Sequence, residues 1–268
     1  MLRLRKNELR IFSPRLPSPT PCFALLADLD LSDNKLTAVP PTLFTACPNL
    51  THVSFARNKI RDLPSEKRQS HKNGRQHDQD DLSNSSFTTW PSNLVSLDIS
   101  HNRLKRLPSS MGGAAHSLTY LNVSHNMICT VPASLFEPKR DRLFASLNTL
   151  LLQHNALSGD SAIPQSLPVA LSESCWRLDL SHNGLTALPS DIGSMQALQE
   201  LFVNHNEIAS FPSGTTSAAS ENSNIMLPNV RSLHLENNRL SVLPPRFGKF
   251  VSLSTNLQHL SLQNNRLV

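Results

Sequence analysis

Aromatic residues and glycine are scarce in this sequence of 268 residues. Aromatic side chains make up 5% of the chain, so we expect an aliphatic core, and only 8 glycines are present to build loops that cradle phosphate groups. No apolar run approaches the roughly 18 residues that a membrane-spanning helix requires. The composition therefore predicts neither membrane insertion nor a nucleotide-binding loop.

The sequence motifs of common catalytic sites are also missing. There is no GxGxxG or GxxxxGK[ST] loop, no HExxH, CxxC or GxSxG motif, and no protein-kinase signature. We therefore predict no catalytic residues, no enzymatic activity, no cofactor, no metal site and no small-molecule substrate.

Cysteine spacing and the first residues bear on the cellular compartment. Cys22, Cys47, Cys129 and Cys175 show no short paired spacing, which favours reduced thiols of an intracellular protein. The opening residues MLRLRKNELRIF are basic but lack the continuous apolar segment and cleavage site of a secretory signal. On these grounds we predict a cytoplasmic location.

The formal net charge is +5 and the isoelectric point is near 9.3. Nucleic-acid-binding proteins usually concentrate such charge in a stripe with stacking aromatic residues. Here Lys and Arg are scattered along the sequence, with one dense cluster at the N-terminus. We therefore predict no nucleic-acid partner.

A frame of the form LxxLxLxxNxLxxLP recurs along the whole chain. Its anchoring asparagines are spaced by a unit of 23 or 24 residues, which insertions lengthen in places. A half copy begins at Leu2, and the other copies lie at 26–40, 50–64, 94–108, 118–132, 147–157, 175–189, 198–212, 230–244 and 257–267.

These ten frames resemble the leucine-rich repeat family. The segments LPSDIGSMQALQEL and LPPRFGKFVSL are similar to an intracellular subgroup that includes Ras-suppressor and scaffold-type members. The resemblance implies an α/β leucine-rich repeat solenoid, a curved horseshoe of about ten coils. Its parallel sheet would form the concave face, and short helical or extended segments would form the convex face.

The repeat also has a direct physical interpretation. LxL is a short strand whose two leucines face the same side, and one such strand cannot bury that side until neighbouring coils stack on it. In the family, the asparagine of each frame turns inward and satisfies backbone groups in the bend after the strand. The resemblance therefore implies a structural ladder formed by Asn34, Asn58, Asn102, Asn126, Asn155, Asn183, Asn206, Asn238 and Asn265, with Asn7 in the opening half copy.

We expect one leucine-rich repeat domain over residues 1–268. Both ends begin or stop inside a repeat without a recognisable cap, so we expect the chain to be part of a longer protein. Residues 65–89 and 213–224 are polar and poor in apolar side chains, which predicts inserted flexible loops.

A protein-interaction scaffold is the function that this architecture implies. The residues between the two leucines of each LxL are mostly polar, but Leu151 and Phe202 are apolar. Tyr120 and Arg177 each lie directly before the first leucine of their LxL unit. Aromatic and arginine side chains are common at interface hot spots. We therefore predict that a partner protein in intracellular signalling or complex assembly contacts Tyr120, Leu151, Arg177 and Phe202, flanked by Asp98 and Asp179. The alternative is the recognition domain of a larger kinase- or GTPase-linked signalling enzyme.

Histidine precedes the repeat asparagine in five consecutive coils, at His101, His125, His154, His182 and His205. Stacked strands lie roughly 4.7–4.9 Å apart, so these rings are expected to form a ladder that titrates progressively or binds Zn²⁺. The competing interpretation is that repeat duplication preserved a harmless solvent-facing residue. The sequence alone leaves both interpretations open.

Overall fold

The computed structural model describes residues 1–12, 23–40, 42–64, 90–109, 111, 117–136, 146–212, 227–243, 247 and 256–268. Over these residues it contains a ten-stranded sheet in which all neighbours are parallel and strand order follows chain order. The strands are β1 (Leu2–Arg3), β2 (Asp28–Asp30), β3 (His52–Ser54), β4 (Ser96–Asp98), β5 (Tyr120–Asn122), β6 (Thr149–Leu151), β7 (Arg177–Asp179), β8 (Glu200–Phe202), β9 (Ser232–His234) and β10 (His259–Ser261).

Each strand is short because only one LxL unit per coil can face the core. The central leucine of β4, Leu97, is buried and lies opposite Leu121 of β5, while the flanking strand residues are half-buried on the other side. The second leucine position follows the strand and is buried as well, as at Ile99. The apolar residues of consecutive coils thus form one continuous aliphatic core.

The asparagine of each frame connects consecutive coils by hydrogen bonds. Asn102 Oδ1 accepts a hydrogen bond from the Ile60 N–H at 2.9 Å, and Asn102 Nδ2 donates to the carbonyls of Phe55, Ile99 and Ser100 at 2.9–3.1 Å. The other eight ladder asparagines also accept one backbone N–H from the preceding coil and donate to a carbonyl of that coil.

The layer opposite the sheet contains short helical segments. Helix α1 (Leu43–Ala46) and helix α2 (Leu167–Leu171) bury leucines against the core, and 3₁₀ turns form at Ala133–Leu135 and Ser190–Ser194. Pro168 lies in the first turn of α2, where its missing N–H removes no helical hydrogen bond. No helix among the described residues is long and apolar enough to span a membrane.

The predicted leucine-rich repeat solenoid with a parallel sheet is confirmed. The two predicted inserted loops, 65–89 and 213–224, lie wholly outside the described residues. Their character therefore stays a prediction.

Candidate functional site

The solvent side of the sheet carries two side chains from each complete strand, and we call this surface the sheet face. Its first column holds the first residue of each strand: Asp28, His52, Ser96, Tyr120, Thr149, Arg177, Glu200, Ser232 and His259. Its second column holds the third residue: Asp30, Ser54, Asp98, Asn122, Leu151, Asp179, Phe202, His234 and Ser261.

The structure brings together the four residues at the centre of the sequence-based prediction. Tyr120, Leu151, Arg177 and Phe202 lie on β5, β6, β7 and β8, four consecutive strands, and all four are half-buried. We call these four residues the contact patch. Tyr120 and Arg177 lie in the first column and Leu151 and Phe202 in the second, so the patch crosses the sheet face as a zigzag over four strands.

Arg177 is held in place by two neighbours on β8. Its Nη1 lies 2.7 Å from Glu200 Oε2, and its guanidinium carbon lies 5.0 Å from the centre of the Phe202 ring. The Phe202 ring in turn stacks on the His234 ring, with their centres 4.6 Å apart. Glu200 and His234 were not selected from the sequence; their register beside Arg177 and Phe202 is the signal that finds them.

Tyr120 presents a neutral hydroxyl at the other end of the contact patch. Burial of the side chain raises its pKa above the usual tyrosine value, and the nearby Asp98 carboxylate raises it further. The hydroxyl is therefore protonated at neutral pH and available as a hydrogen-bond donor.

The two flanking aspartates have structural contacts. Asp98 Oδ1 accepts the Ser100 N–H at 2.9 Å, and Asp179 Oδ1 accepts both the N–H and the hydroxyl of Ser181 at 3.0 and 2.7 Å. Asp179 is only 7% exposed. These bonds shape the turn after the strand, and contact of either aspartate with a partner stays a prediction.

A shallow depression lies beside the contact patch on β1–β5. Its volume is about 310 Å³, and its lining includes Ser54, Ser96, Asp98 and Tyr120. The two small serine side chains leave this space open between larger neighbours. The sheet face therefore offers the contact patch and an adjacent hollow.

The five histidines before the repeat asparagines form a stacked column, which we call the histidine column. Successive ring centres are 4.0–4.3 Å apart and the rings are within 14° of parallel. All five residues have left-handed backbone conformations, with φ between +53° and +55°. Histidine, asparagine and aspartate adopt this conformation more readily than most residues.

Burial lowers the pKa of His101, His125 and His182 below the usual histidine value. Neighbouring cations lower these pKa values further: Arg57 acts on His101, and the adjacent histidines act on His125 and His182. The rings of these three residues are therefore neutral at neutral pH.

The predicted alternative of a zinc site in the histidine column gains no support from the geometry. Lone pairs of parallel stacked rings point in the same direction, whereas a tetrahedral ion needs them to converge. Among the described residues, no group of three or more His, Cys, Asp or Glu side chains is placed to hold a metal ion.

Two family models match this chain. Leucine-rich repeat models match residues 24–67 in one case and residues 93–114, 117–138, 174–195 and 229–250 in the other. These matches confirm the repeat that was identified from the LxxLxLxxN frame. They do not test the intracellular subgroup, which stays a prediction.

Several curated proteins are similar over most of the chain. Podocan-like protein 1 of Homo sapiens is 30% identical over 90% of this chain and 48% of its own length. Lumican of Gallus gallus is 30% identical over 70% of this chain and 45% of its own length. The chain thus spans about half the length of these relatives.

Solved structures share the fold. The leucine-rich repeat chain in an octameric complex of Latrophilin 3, Unc5D and FLRT2 superposes with a TM-score of 0.70 at 20% identity, over 98% of this chain and 67% of that chain. A leucine-rich repeat protein of Leptospira interrogans gives a TM-score of 0.55 at 25% identity, over 91% and 62% of the two chains.

The predicted cytoplasmic location is wrong. Podocan, podocan-like protein 1, lumican and keratocan are secreted proteins of the extracellular matrix, and their similarity points away from the cytoplasm. The prediction rested on cysteine spacing and on the first dozen residues.

Proposed function

The chain belongs to the leucine-rich repeat family, and we propose that it is a non-enzymatic interaction module that binds a partner protein on its sheet face. The observation that carries this proposal is the contact patch of Tyr120, Leu151, Arg177 and Phe202 on four consecutive strands. It places one aliphatic, two aromatic and one guanidinium side chain on the solvent side of four consecutive strands.

Preorganisation supports the patch as the centre of the interface. Arg177 is already oriented by Glu200 and by the Phe202 ring, so little side-chain entropy would be lost when a partner binds. Arginine and aromatic side chains are also the residue types that most often dominate binding energy. The hollow beside Tyr120 would accept a side chain that projects from the partner.

A second candidate is the recognition part of a larger signalling enzyme. An adenylate cyclase of Podospora anserina is 32% identical over 69% of this chain, and the match covers 7% of that protein. Under this alternative the sheet face would still bind a protein, and the catalysis would reside in another domain. Sequencing the complete transcript distinguishes the two candidates.

The proposed interface is tested by affinity capture from a native tissue extract with quantitative mass spectrometry. The test protein carries Leu151→Glu and Phe202→Glu, which place two carboxylates on the sheet face. The matched control carries Val169→Glu and Val242→Glu, because these residues are 66% and 68% exposed and lie outside the sheet face. Circular dichroism verifies that both variants fold.

We expect the same partners on wild type and control, and about tenfold or greater loss on the sheet-face variant, which corresponds to about 1.4 kcal/mol or more. Equal capture by all three proteins would contradict binding at the contact patch.

A further inference from the structure

Six exposed basic side chains lie together on the edge beside β3 and β4, and we call this surface the basic edge. The residues follow the strands in two coils that an insertion separates in sequence. They are Arg57, Lys59, Arg61, Arg103, Lys105 and Arg106.

The register of the coils creates this cluster. The Arg57 N–H donates to the Ser100 carbonyl at 2.9 Å, and the Arg103 N–H donates to the Ile60 carbonyl at 2.8 Å. Equivalent positions of the two coils are therefore neighbours, at about the 4.8 Å spacing of stacked strands. Lysines and arginines that look scattered along the sequence become one patch.

Few carboxylates neutralise the basic edge. Asp33 approaches Arg57 at 3.9 Å, and Asp62 approaches Arg106 at 4.0 Å. Within the described part of the chain, Lys59, Arg61, Arg103 and Lys105 form no ion pair. The edge therefore carries an excess of positive charge that is open to solvent.

The histidine column extends from this edge along the solenoid. Arg57 occupies the same repeat position as His101, and the two residues line a common hollow of about 320 Å³. From His101 the column continues through four steps of 4.0–4.3 Å to His205. The basic edge runs along two coils and the column runs across five, so the two surfaces meet at Arg57 and His101 as one bent strip.

The charge of the strip depends on pH. The charged groups near the start of the column are Arg57, Arg5, Asp30, Asp33 and Asp98, and those near its end are Asp179 and Glu236. His234 contacts Glu236 at 3.5 Å, and the neutral Asn237 lies 3.2 Å from His205. Protonation of imidazoles in acid adds positive charge to the column beside these carboxylates.

We propose that the basic edge and the histidine column together bind a linear sulfated polysaccharide, which the edge holds at neutral pH and which the column holds more tightly in acid. The clustered cations of the basic edge, joined in acid by protonated imidazoles at regular spacing along the column, match a flexible polymer that carries regularly spaced sulfates. A nucleic acid fits less well, because neither surface offers an exposed aromatic ring of Phe, Tyr or Trp among the described residues for bases to stack on.

Heparin oligosaccharide of defined length is the probe for this site. Its affinity is measured by isothermal titration calorimetry at about pH 7.5 and about pH 5.5, across a series of salt concentrations. For wild type we expect binding at both pH values, an affinity that falls steeply with salt, and about tenfold or greater tightening in acid. No binding at either pH would overturn the proposal.

The basic edge is tested by Lys59→Ser with Arg103→Ser. The matched control is Arg239→Ser with Arg266→Ser, which removes two cations from the same repeat position in distant coils. We expect the edge variant to lose about tenfold or more in affinity at both pH values and to show a smaller salt dependence, while the control stays near wild type. Equal losses in the two variants would mean nonspecific attraction and overturn the site.

The column is tested by His125→Asn with His154→Asn and His182→Asn. Asparagine already occupies this left-handed position at Asn237 and Asn264, so the backbone accommodates the change. We expect unchanged affinity at about pH 7.5 and loss of the tightening at about pH 5.5. Undiminished tightening would overturn the role of the column, and displacement of heparin by equal amounts of single-stranded DNA would overturn the assignment to a polysaccharide.

Discussion

At the residue scale, the repeat asparagine links each coil to the one before it. Asn102 is buried and uses both ends of its amide, accepting from Ile60 and donating to three carbonyls. An alanine here would leave these backbone groups without partners in a buried bend. Because an unsatisfied buried polar group costs about 1–3 kcal/mol, this residue contributes far more than its size suggests.

We expect Asn102→Ala to lower the free energy of unfolding by about 2–4 kcal/mol. Asn7→Ala is the matched control, since Asn7 is exposed and donates only to the carbonyls of Leu4 and Arg5. Its cost should stay below about 1 kcal/mol. Urea denaturation followed by circular dichroism measures the free energy of unfolding of both variants. Similar losses in the two variants would contradict the role of Asn102 in linking consecutive coils.

The recurring histidine also has a residue-scale explanation. Each column residue adopts a left-handed backbone, and His101 donates its N–H to the Ser124 carbonyl of the next coil at 3.0 Å. Other coils place Asp33, Arg57 or Asn237 at the same position. The left-handed backbone therefore accepts histidine at this position but does not require it. What the backbone alone does not explain is that the five histidine rings stack on one another.

Acidification should destabilise the fold through this column. The pKa values of His101, His125 and His182 are lowered in the folded state. Below about pH 6.5 the unfolded chain therefore binds more protons than the folded chain, and the free energy of unfolding decreases as the pH is lowered. We expect the triple variant His125→Asn, His154→Asn and His182→Asn to lose less melting temperature between about pH 7.5 and about pH 5.5 than wild type. Differential scanning fluorimetry measures this difference, and an equal loss in both proteins would contradict it.

At the scale of the element, the sheet supplies a flat array and the side chains supply its chemistry. Three-residue strands expose only two positions each, so neighbouring strands must contribute jointly to any binding surface. The contact patch satisfies this requirement over β5–β8. Its ion pair between Arg177 and Glu200 is partly exposed, which limits its contribution to stability.

We expect Arg177→Ala to reduce partner capture by about tenfold or more while changing the free energy of unfolding by at most about 1 kcal/mol. Arg239→Ala is the control. Arg239 Nη1 lies 3.1 Å from Glu207 Oε2, so the two residues form a similar ion pair, and this pair lies outside the sheet face. Quantitative capture and urea denaturation provide the two measurements. Loss of capture in both variants would point to general charge rather than to the patch.

At the scale of the whole molecule, stability depends on contacts between consecutive coils. Leu121 is 2% exposed and lies between Leu97 and Leu150 of the neighbouring strands. Truncating it removes core contacts on both sides at once. In a stacked repeat, such a defect weakens the interfaces of this coil with both neighbouring coils, and it thereby also destabilises the coils beyond them.

We expect Leu121→Ala to destabilise the fold by about 2–5 kcal/mol. Trp90 and Trp176 lie on opposite sides of this coil, so Trp90→Phe and Trp176→Phe backgrounds each leave one fluorescent reporter. If the solenoid unfolds cooperatively, Leu121→Ala shifts the urea midpoint of both reporters together. A shift seen by only one reporter would show that the coils unfold independently.

The repeat frame predicted the strands, and its resemblance to the leucine-rich repeat family implied their parallel order and the ladder asparagines. Each coil repeats the same local pattern of buried leucines and inward asparagine, so the information lies within about a dozen consecutive residues. The choice of Tyr120, Leu151, Arg177 and Phe202 also followed from the frame, because position within LxL decides which side chains leave the core.

The tertiary structure decided which of those side chains meet. Arg57 and His101 are 44 residues apart in sequence, yet they share a hollow because the coils stack in register across the insertion. The same stacking collected the basic edge and oriented Arg177 against Glu200 and Phe202. A sequence specifies the interactions within a coil, whereas contacts between coils depend on a register that exists only once the coils have stacked.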